Sequence, residues 1–460
     1  MSSKLFGTDG VRGIANEQVT PELAFQIGRA AGQWIKLNGE GTNVVIGRDT
    51  RRSGAMLGAA LASGFCSVGI DVHTLGVVPT GAVSFATLRE KHAMGAVISA
   101  SHNPAPDNGV KLIGTDGRKA SAEAEEWITS NLETVPQERP TGSKVGLLVS
   151  NEKLKFEYIK WLKALVPEGL SGMTIAMDCG NGAAYEVAPI VFADLGANVV
   201  VTGDMPDGMN INADGGATKP GTVQSLSKTS AADIGVAFDG DADRAVFSDD
   251  QGRLINGDRT MAIWCAHWRN NAEFEPALVV GTVMTNGGFE KYMVQNGVRV
   301  ERTDVGDKYV SAMLRKEGGK IGGEQSGHII FSDLLPTGDG LVTALQVCRV
   351  LKREGRRASE FFGDYESWPQ LLVNVSVGTK DGWQERDGVR AAMAEAEVAL
   401  KDRGRLNVRP SGTQPMIRVM VEADDALLRD SVADRIVAAM LSELGGEIYS
   451  KVDLTHALGD

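Results

Sequence analysis

The sequence predicts an α/β protein of mostly parallel sheets that ends in a smaller α+β unit. Short apolar runs of strand length alternate with helical patterns along most of the chain, which is the mark of βαβ units. That rhythm changes after Leu371, where longer helical stretches alternate with fewer strands. Glycine contributes 56 of 460 residues, about 12% against a usual 7%, so tight turns and close backbone approach recur.

The alternation begins with a strand at Val44–Ile46, a helix around Gly54–Val68, a strand at Asp71–Leu75, a further helix and a strand at Gly95–Ser99. It resumes with strands at Thr174–Met177, Asp233–Ala237, Ala277–Thr282 and Lys320–Gly322. The last part reads as a strand at Leu371–Val377, a helical stretch Trp383–Lys401, a strand at Met416–Glu422 and a helix Asp425–Leu444. Thr134–Ser143, Asp249–Gly252 and Phe362–Gln370, rich in Pro, Gly or Asp, read as connections.

Length and charge narrow the function. A chain of 460 residues holds about three domains. Hydrophobic residues at 42% and charged residues at 23% are ordinary for a packed protein and exclude wholesale disorder. The longest uncharged stretch, Val72–Leu88, is broken by His73, Thr74, Gly76, Pro79 and Gly81, so no membrane span is expected. The N-terminus shows no apolar signal core, which points to the cytoplasm. A net charge of −12 disfavours nucleic acid, whose phosphates need a basic face. Cys66, Cys179, Cys265 and Cys348 form no C-x-x-C pair and read as free thiols.

Five polar loops each follow an apolar run: Gly47-Arg48-Asp49, Ser101-His102-Asn103-Pro104, Asp239-Gly-Asp241-Ala-Asp243-Arg244, Gly323-Glu324-Gln325-Ser326-Gly327-His328 and Arg409-Pro-Ser411-Gly412-Thr413. Ligands of open α/β sheets bind outside the carboxyl ends of the strands, so these loops could share one cleft. Three carboxylates at alternate positions repel unless a cation neutralises them, and oxygen ligands suit Mg²⁺ or Ca²⁺. An EF-hand would need Gly and Glu where Arg244 and Asp250 stand. An exposed acidic turn is the plain alternative.

Ser101 could act as a nucleophile, although a Ser-His-Asn turn that caps a helix uses the same residue types. No G-x-S-x-G elbow is present, so α/β-hydrolase chemistry lacks its signature. Lys111 is either a solvated strand lysine or a cation beside phosphate. Arg409, Ser411, Thr413 and the amide of Gly412, with Arg418 beyond, suit a phosphate clamp; a solvated Arg418 is the alternative. Glu324, Ser326 and His328 alternate, and on an extended loop they would project the same way toward sugar hydroxyls.

Together with the opening Phe6-Gly-Thr-Asp-Gly-Val-Arg12-Gly, these loops in this order closely resemble the phosphohexomutase superfamily, most specifically its bacterial glucosamine-phosphate branch. The resemblance implies three similar α/β/α domains with mixed, mostly parallel sheets and a smaller C-terminal α+β domain around one cleft, over 1–150, 151–252, 253–367 and 368–460. It implies interconversion of glucosamine 6-phosphate and glucosamine 1-phosphate through a phosphoserine and a bisphosphate, feeding amino-sugar and cell-wall precursors. Ser101 matches the phosphoryl-carrying serine; Asp239, Asp241 and Asp243 match the Mg²⁺ ligands, with phosphoserine completing the shell. Arg12, His102, Lys111 and Arg244 match positions that assist transfer. Glu324 and Ser326 match the sugar loop, and Arg409, Ser411, Thr413 and Arg418 match the clamp on the unreactive phosphate.

The expected cofactors are one Mg²⁺ per site and a bisphosphorylated hexose as primer. The expected partner is a sugar phosphate bound by a monomer or homodimer, with the C-terminal domain closing as a lid about Phe362–Gln370. Three positions depart from the family pattern: Gln414 for Glu, the stretch Asn210–Thr218 without its usual Cys and Ser, and Lys308 for Arg. A phosphomannomutase/phosphoglucomutase is the nearest alternative activity, with a sugar-phosphate sensor or a metal-dependent sugar phosphatase further off.

Overall fold

The computed structural model describes residues 5–7, 9–39, 41–269, 274–411 and 415–458. Among these, strands β1 (Val11–Ile14), β2 (Asn43–Arg48), β3 (Asp71–Val77), β4 (Met94–Ile98), β5 (Asp107–Ile113) and β6 (Leu148–Ser150) form one sheet in the order β1-β5-β4-β2-β3-β6. A second sheet has β7 (Thr174–Asp178), β8 (Asn198–Thr202), β9 (Ile234–Phe238), β10 (Ala245–Asp249) and β11 (Leu254–Ile255) in the order β11-β10-β9-β7-β8. The third has β12 (Leu278–Thr282), β13 (Arg299–Thr303), β14 (Ile321–Gly323) and β15 (Ile329–Phe331) in the order β13-β12-β14-β15. The last is β16 (Gln370–Ser376), β17 (Gly404–Pro410), β18 (Met416–Ala423) and β19 (Glu447–Asp453), ordered β17-β18-β16-β19.

One frame repeats three times. The series β5-β4-β2-β3, β10-β9-β7-β8 and β15-β14-β12-β13 superpose in topology, each with parallel strands and one antiparallel return. The central strands are covered on both faces and are apolar throughout: Met94–Ile98 and Ile234–Phe238 are fully buried. The fourth sheet is antiparallel throughout and backed by the helices Asp387–Leu400 and Ala426–Leu444.

Local chemistry sets the helix ends. Thr20 caps the helix Pro21–Asn38 by accepting the Leu23 N–H at 3.2 Å, and Gly39 in the left-handed region ends it. Asp339 caps Gly340–Glu354 through the N–H groups of Leu341 and Val342, at 2.9 and 3.1 Å.

One apolar core runs through the first three units, from Val45 and Phe85 through Phe238 and Phe247 to Phe289 and Leu345. A second lies beneath the helices of the first sheet, and the C-terminal unit keeps its own core around Val373, Ile417 and Ile436.

One of the connections differs from the sequence reading. Thr134–Ser143 leads back to β6, which pairs in parallel with β3, so the chain stays in the first sheet. Asp249–Gly252 is the turn between antiparallel β10 and β11 rather than a join between units. The helical stretch from Trp383 breaks at Arg386, whose extended backbone separates a single turn, Trp383–Glu385, from Asp387–Leu400. No described helix is long and apolar enough to cross a membrane.

Candidate active site

The Ser101 loop leaves the carboxyl end of β4 and is held from below. Ser101 adopts φ +51° and is buried, a left-handed conformation that costs a β-carbon residue about 1–3 kcal/mol unless its surroundings enforce it. The Arg51 guanidinium enforces it, donating to the carbonyls of Ser101 at 2.9 Å and Asn103 at 2.7 Å, and to Pro104. Asp49 orients Arg51 at 2.9 Å and accepts the Ser99 hydroxyl at 2.6 Å, while Ser99 accepts the Ser101 N–H at 2.9 Å. From the second unit, Asn212 donates to the same Ser101 carbonyl at 2.9 Å. Sequence reading named Asp49 but assigned nothing to Arg51 or Asn212.

The serine hydroxyl points out of this cradle at the second unit. It donates to Asp239 at 2.5 Å and lies 3.4 Å from His102 Nδ1. Asp239, Asp241 and Asp243 are all buried, with one oxygen of each within 4.8 Å of the others. Lys111 on β5 reaches Asp241 at 2.7 Å and Asp243 at 3.1 Å, and the Thr80 hydroxyl donates to Asp241 at 2.7 Å. The Arg244 N–H donates to Asp239 at 3.1 Å.

These carboxylates do not neutralise one another. Burial pushes Asp239 well above the ordinary carboxylate range, and Asp243 and Asp241 push the same way. Burial also raises Asp243, but Lys111 and then His328 outweigh it and hold that carboxyl at about 2. Burial disfavours the Lys111 charge, yet Asp241, Asp243 and Asp9 hold its ammonium well above the usual range. Lys111, Arg244 and His328 all act on these carboxylates, yet Asp241 Oδ1 and Asp243 Oδ1 are buried with no hydrogen-bond partner. Buried oxygens without donors are costly, and an all-oxygen set of this size fits a metal ion.

A polar chain joins this centre to the third unit. Asp9 pairs with Arg12 and, at 2.6 Å, with Lys119, which pairs in turn with Asp307 at 2.7 Å. His328 Nε2 lies 3.8 Å from Asp307 and 3.9 Å from Asp243. The sugar-loop expectation needs correction here. Glu324–Gly327 is a tight turn between β14 and β15, closed by Gly327 N–H to Glu324 O at 3.0 Å with Gly327 at φ +92°. Alternating side chains therefore do not project together. Glu324 accepts the Gly306 N–H at 2.7 Å, Ser326 is buried, and His328 turns toward Asp243.

Arg409 and Arg418 are direct register partners on β17 and β18. Burial and then Arg418 lower the Arg409 pKa, while Asp304 of the third unit raises it. Two guanidiniums on register-paired residues, with Arg418 Nε buried and without a hydrogen-bond partner, suit an anion. Ser411 follows, buried, and its carbonyl accepts Lys380 Nζ at 2.6 Å, a third cation that the motif did not reveal. Gly412, Thr413 and Gln414 lie outside the described residues. Among the described residues no hydrogen bond joins this loop to Ser101; Asp304 links it to the turn that holds Glu324.

Comparison with known proteins follows the same division. The chain matches the phosphoglucomutase/phosphomannomutase alpha/beta/alpha domain I over residues 3–139, domain II over 156–252, domain III over 256–367 and the C-terminal domain over 372–439. It is 43% identical over 447 residues to the phosphoglucosamine mutase of Geobacillus thermodenitrificans, covering 96% of this chain and 100% of that one. The phosphoglucosamine mutase of Bacillus subtilis gives the same figures. A phosphoglucomutase/phosphomannomutase family protein of Burkholderia thailandensis superposes with TM-score 0.81 at 24% identity, over 97% and 100% of the two chains. Aspergillus fumigatus N-acetylphosphoglucosamine mutase, solved with GlcNAc-6P and magnesium, superposes with TM-score 0.68 at 19% identity over 95% and 96%. At such identities the two structures speak to fold.

Proposed function

The chain belongs to the phosphoglucomutase/phosphomannomutase family, and from that premise we propose that it interconverts glucosamine 6-phosphate and glucosamine 1-phosphate, with Ser101 carrying the phosphoryl group. One observation carries this assignment: a buried hydroxyl, 2.5 Å from Asp239, on a strained turn that two units hold in place.

In the forward direction the phosphoserine Oγ–P bond breaks and a bond forms from phosphorus to the sugar O1, whose proton passes to a base in the site. The resulting bisphosphate turns over in the cleft. The O6–P bond then breaks, Ser101 Oγ regains the phosphoryl group and O6 takes a proton, leaving glucosamine 1-phosphate. Asp239, Asp241, Asp243 and phosphorylated Ser101 would hold one Mg²⁺, which when bound neutralises charge on the transferring group. Lys111, Arg12, His102 and Arg244 supply positive charge or hydrogen bonds around the moving phosphoryl group. The Glu324–His328 turn borders the sugar, with Ser326 buried within it and His328 directed at Asp243. Arg409, Ser411, Gly412, Thr413 and Arg418 grip the phosphate that is not reacting, from either end of the hexose. The bisphosphorylated hexose serves as primer, and the reaction is a cytoplasmic step toward amino-sugar cell-wall precursors.

Turnover measured on glucosamine, mannose and glucose phosphates, with the mass of the Ser101 peptide, tests the assignment. Fastest turnover on the amino sugar and a phosphate on Ser101 are expected. Ser101→Ala should abolish turnover with the fold intact; retained turnover would exclude the phosphoserine route, and preference for mannose phosphate would exclude the amino sugar.

A further inference from the structure

A cavity of about 360 Å³ lies on the seam between the first and third units. One wall is residues 114–121, which follow β5 and lead into the helix Ala122–Ser130. The other is the face of the helix Asp307–Glu317 that carries Lys308, Ser311 and Arg315, positions spaced so that they stack turn above turn. Among the described residues neither Ser101, nor the aspartate trio, nor Lys111, nor Arg409 lines it, so it stands apart from the catalytic cleft.

Charge in this cavity runs against that of the whole chain. The chain carries −12, yet Arg118, Lys119, Lys308 and Arg315 line the cavity with only Asp116 and Asp307 beside them among the described residues. Asp307 is already engaged, because Lys119 bridges it at 2.7 Å and Asp9 at 2.6 Å. Asp116 reaches Arg118 only at 3.4 Å with its side chain half exposed, a pair worth little in water. Arg118 Nε is buried with no hydrogen-bond partner. Lys308 lies over the Tyr309 ring, and neither it nor Arg315 forms an ion pair among the described residues. Ser121 Oγ accepts the Ala124 N–H at 3.1 Å and keeps its own O–H to donate. Trp34 and Ile330 supply an apolar wall.

We propose that this cavity binds a phosphate monoester carried on a flat apolar group, with the phosphate between Arg118, Lys308 and Arg315 and the apolar face on Trp34. Guanidiniums give phosphate parallel hydrogen bonds and an ammonium adds a point charge. The volume is at the lower end of small-molecule sites, which run from about 300 to 1,000 Å³, and it suits one ring with one phosphate. Lys119 connects the cavity to the chemistry. It also holds Asp9, the partner of Arg12 and, at 3.7 Å, of Lys111, which reaches Asp241 and Asp243. An anion on the seam draws on the same ammonium, so filling the cavity lowers kcat without competing for the cleft.

Calorimetric titration of phenyl phosphate into the full chain, with the cleft saturated by glucosamine 6-phosphate, tests the proposal beside initial-rate kinetics. One saturable site per chain and a fall in kcat at constant KM are expected. Arg315→Glu should weaken binding at least tenfold and abolish the inhibition, with basal kcat and KM at wild-type values. Lys308→Glu repeats the test from the other end of the same helix face. Inorganic phosphate, which leaves Trp34 uncovered, should bind about tenfold more weakly than phenyl phosphate. The proposal is overturned if no site remains once the cleft is saturated, or if phenyl phosphate only raises KM. Binding that survives both helix variants but is lost in Arg409→Lys belongs to the cleft and overturns it as well, as does equal affinity for inorganic phosphate.

Discussion

Arg409 and Arg418 meet side by side on adjacent strands, and a planar guanidinium grips phosphate with two parallel bonds where an ammonium offers a point charge. Arg409→Lys should therefore raise the sugar-phosphate KM by about tenfold while leaving metal affinity unchanged. Initial-rate kinetics beside a metal titration check this, and equal loss of both would remove the clamp from that loop. His92 offers a test unrelated to the chemistry. Burial, and then His73 beside it, push its ring down to about 4, against about 6.5 in an unfolded chain. The unfolded state thus binds more protons between those values, so stability is full above about 6.5 and falls as pH drops toward 4. His92→Phe should remove about 1 kcal/mol of the difference between urea-derived stabilities at pH 7.5 and pH 5, after discount for solvent screening. At this scale the serine and the three aspartates were legible because each is a short run with its own chemical logic. Arg51 and Asn212 were not: they act on the Ser101 carbonyl from 50 and 111 residues away, and such contacts leave no local trace.

Between elements, the serine turn and the aspartate turn touch at Gly240. A β-carbon there would lie 2.3 Å from the Ser101 carbonyl oxygen and 2.9 Å from Asn212 Nδ2, so only glycine lets the turns approach. Gly240→Ala should lower kcat by about a hundredfold, as displacing a reacting group by an ångström does, with a far smaller change in thermal midpoint. Wild-type kcat in that variant would show that the approach has no role in turnover. Strand positions were read to within a residue or two, from Asn43–Arg48 to Met416–Ala423. The antiparallel returns β5, β10 and β15 were not drawn out, although a signal existed. Asp239–Arg244 and Glu324–His328 are too short for a parallel crossover, which takes a dozen residues or more. The edge strands β6 and β19 escaped because their registers rest on distant partners, β3 and β16.

At the level of the whole molecule, three units share a continuous apolar core and the fourth has its own. The fourth is fastened to the third by polar contacts, among them Arg405 to Val283 O at 2.6 Å, Gly287 N–H to Glu422 at 2.8 Å and Asn286 to Trp368 O at 2.9 Å, and by a small apolar cluster of Met284 with Leu372, Met420 and Leu454. A junction of scattered polar contacts around one small apolar cluster permits movement between domains. Calorimetry of the full chain should therefore resolve two transitions, with the C-terminal unit melting apart from the other three; a single two-state transition would contradict this division. The threefold recurrence of one strand order has a further consequence. Ser101, the aspartate trio and the Glu324–His328 turn each follow the corresponding strand, β4, β9 and β14, of a separate copy of that frame. Changes at Glu324–Ser326 fall on a different unit from the serine and the aspartates, whereas His328, facing Asp243, ties that turn to the aspartate unit, so the third turn is only partly free to vary on its own.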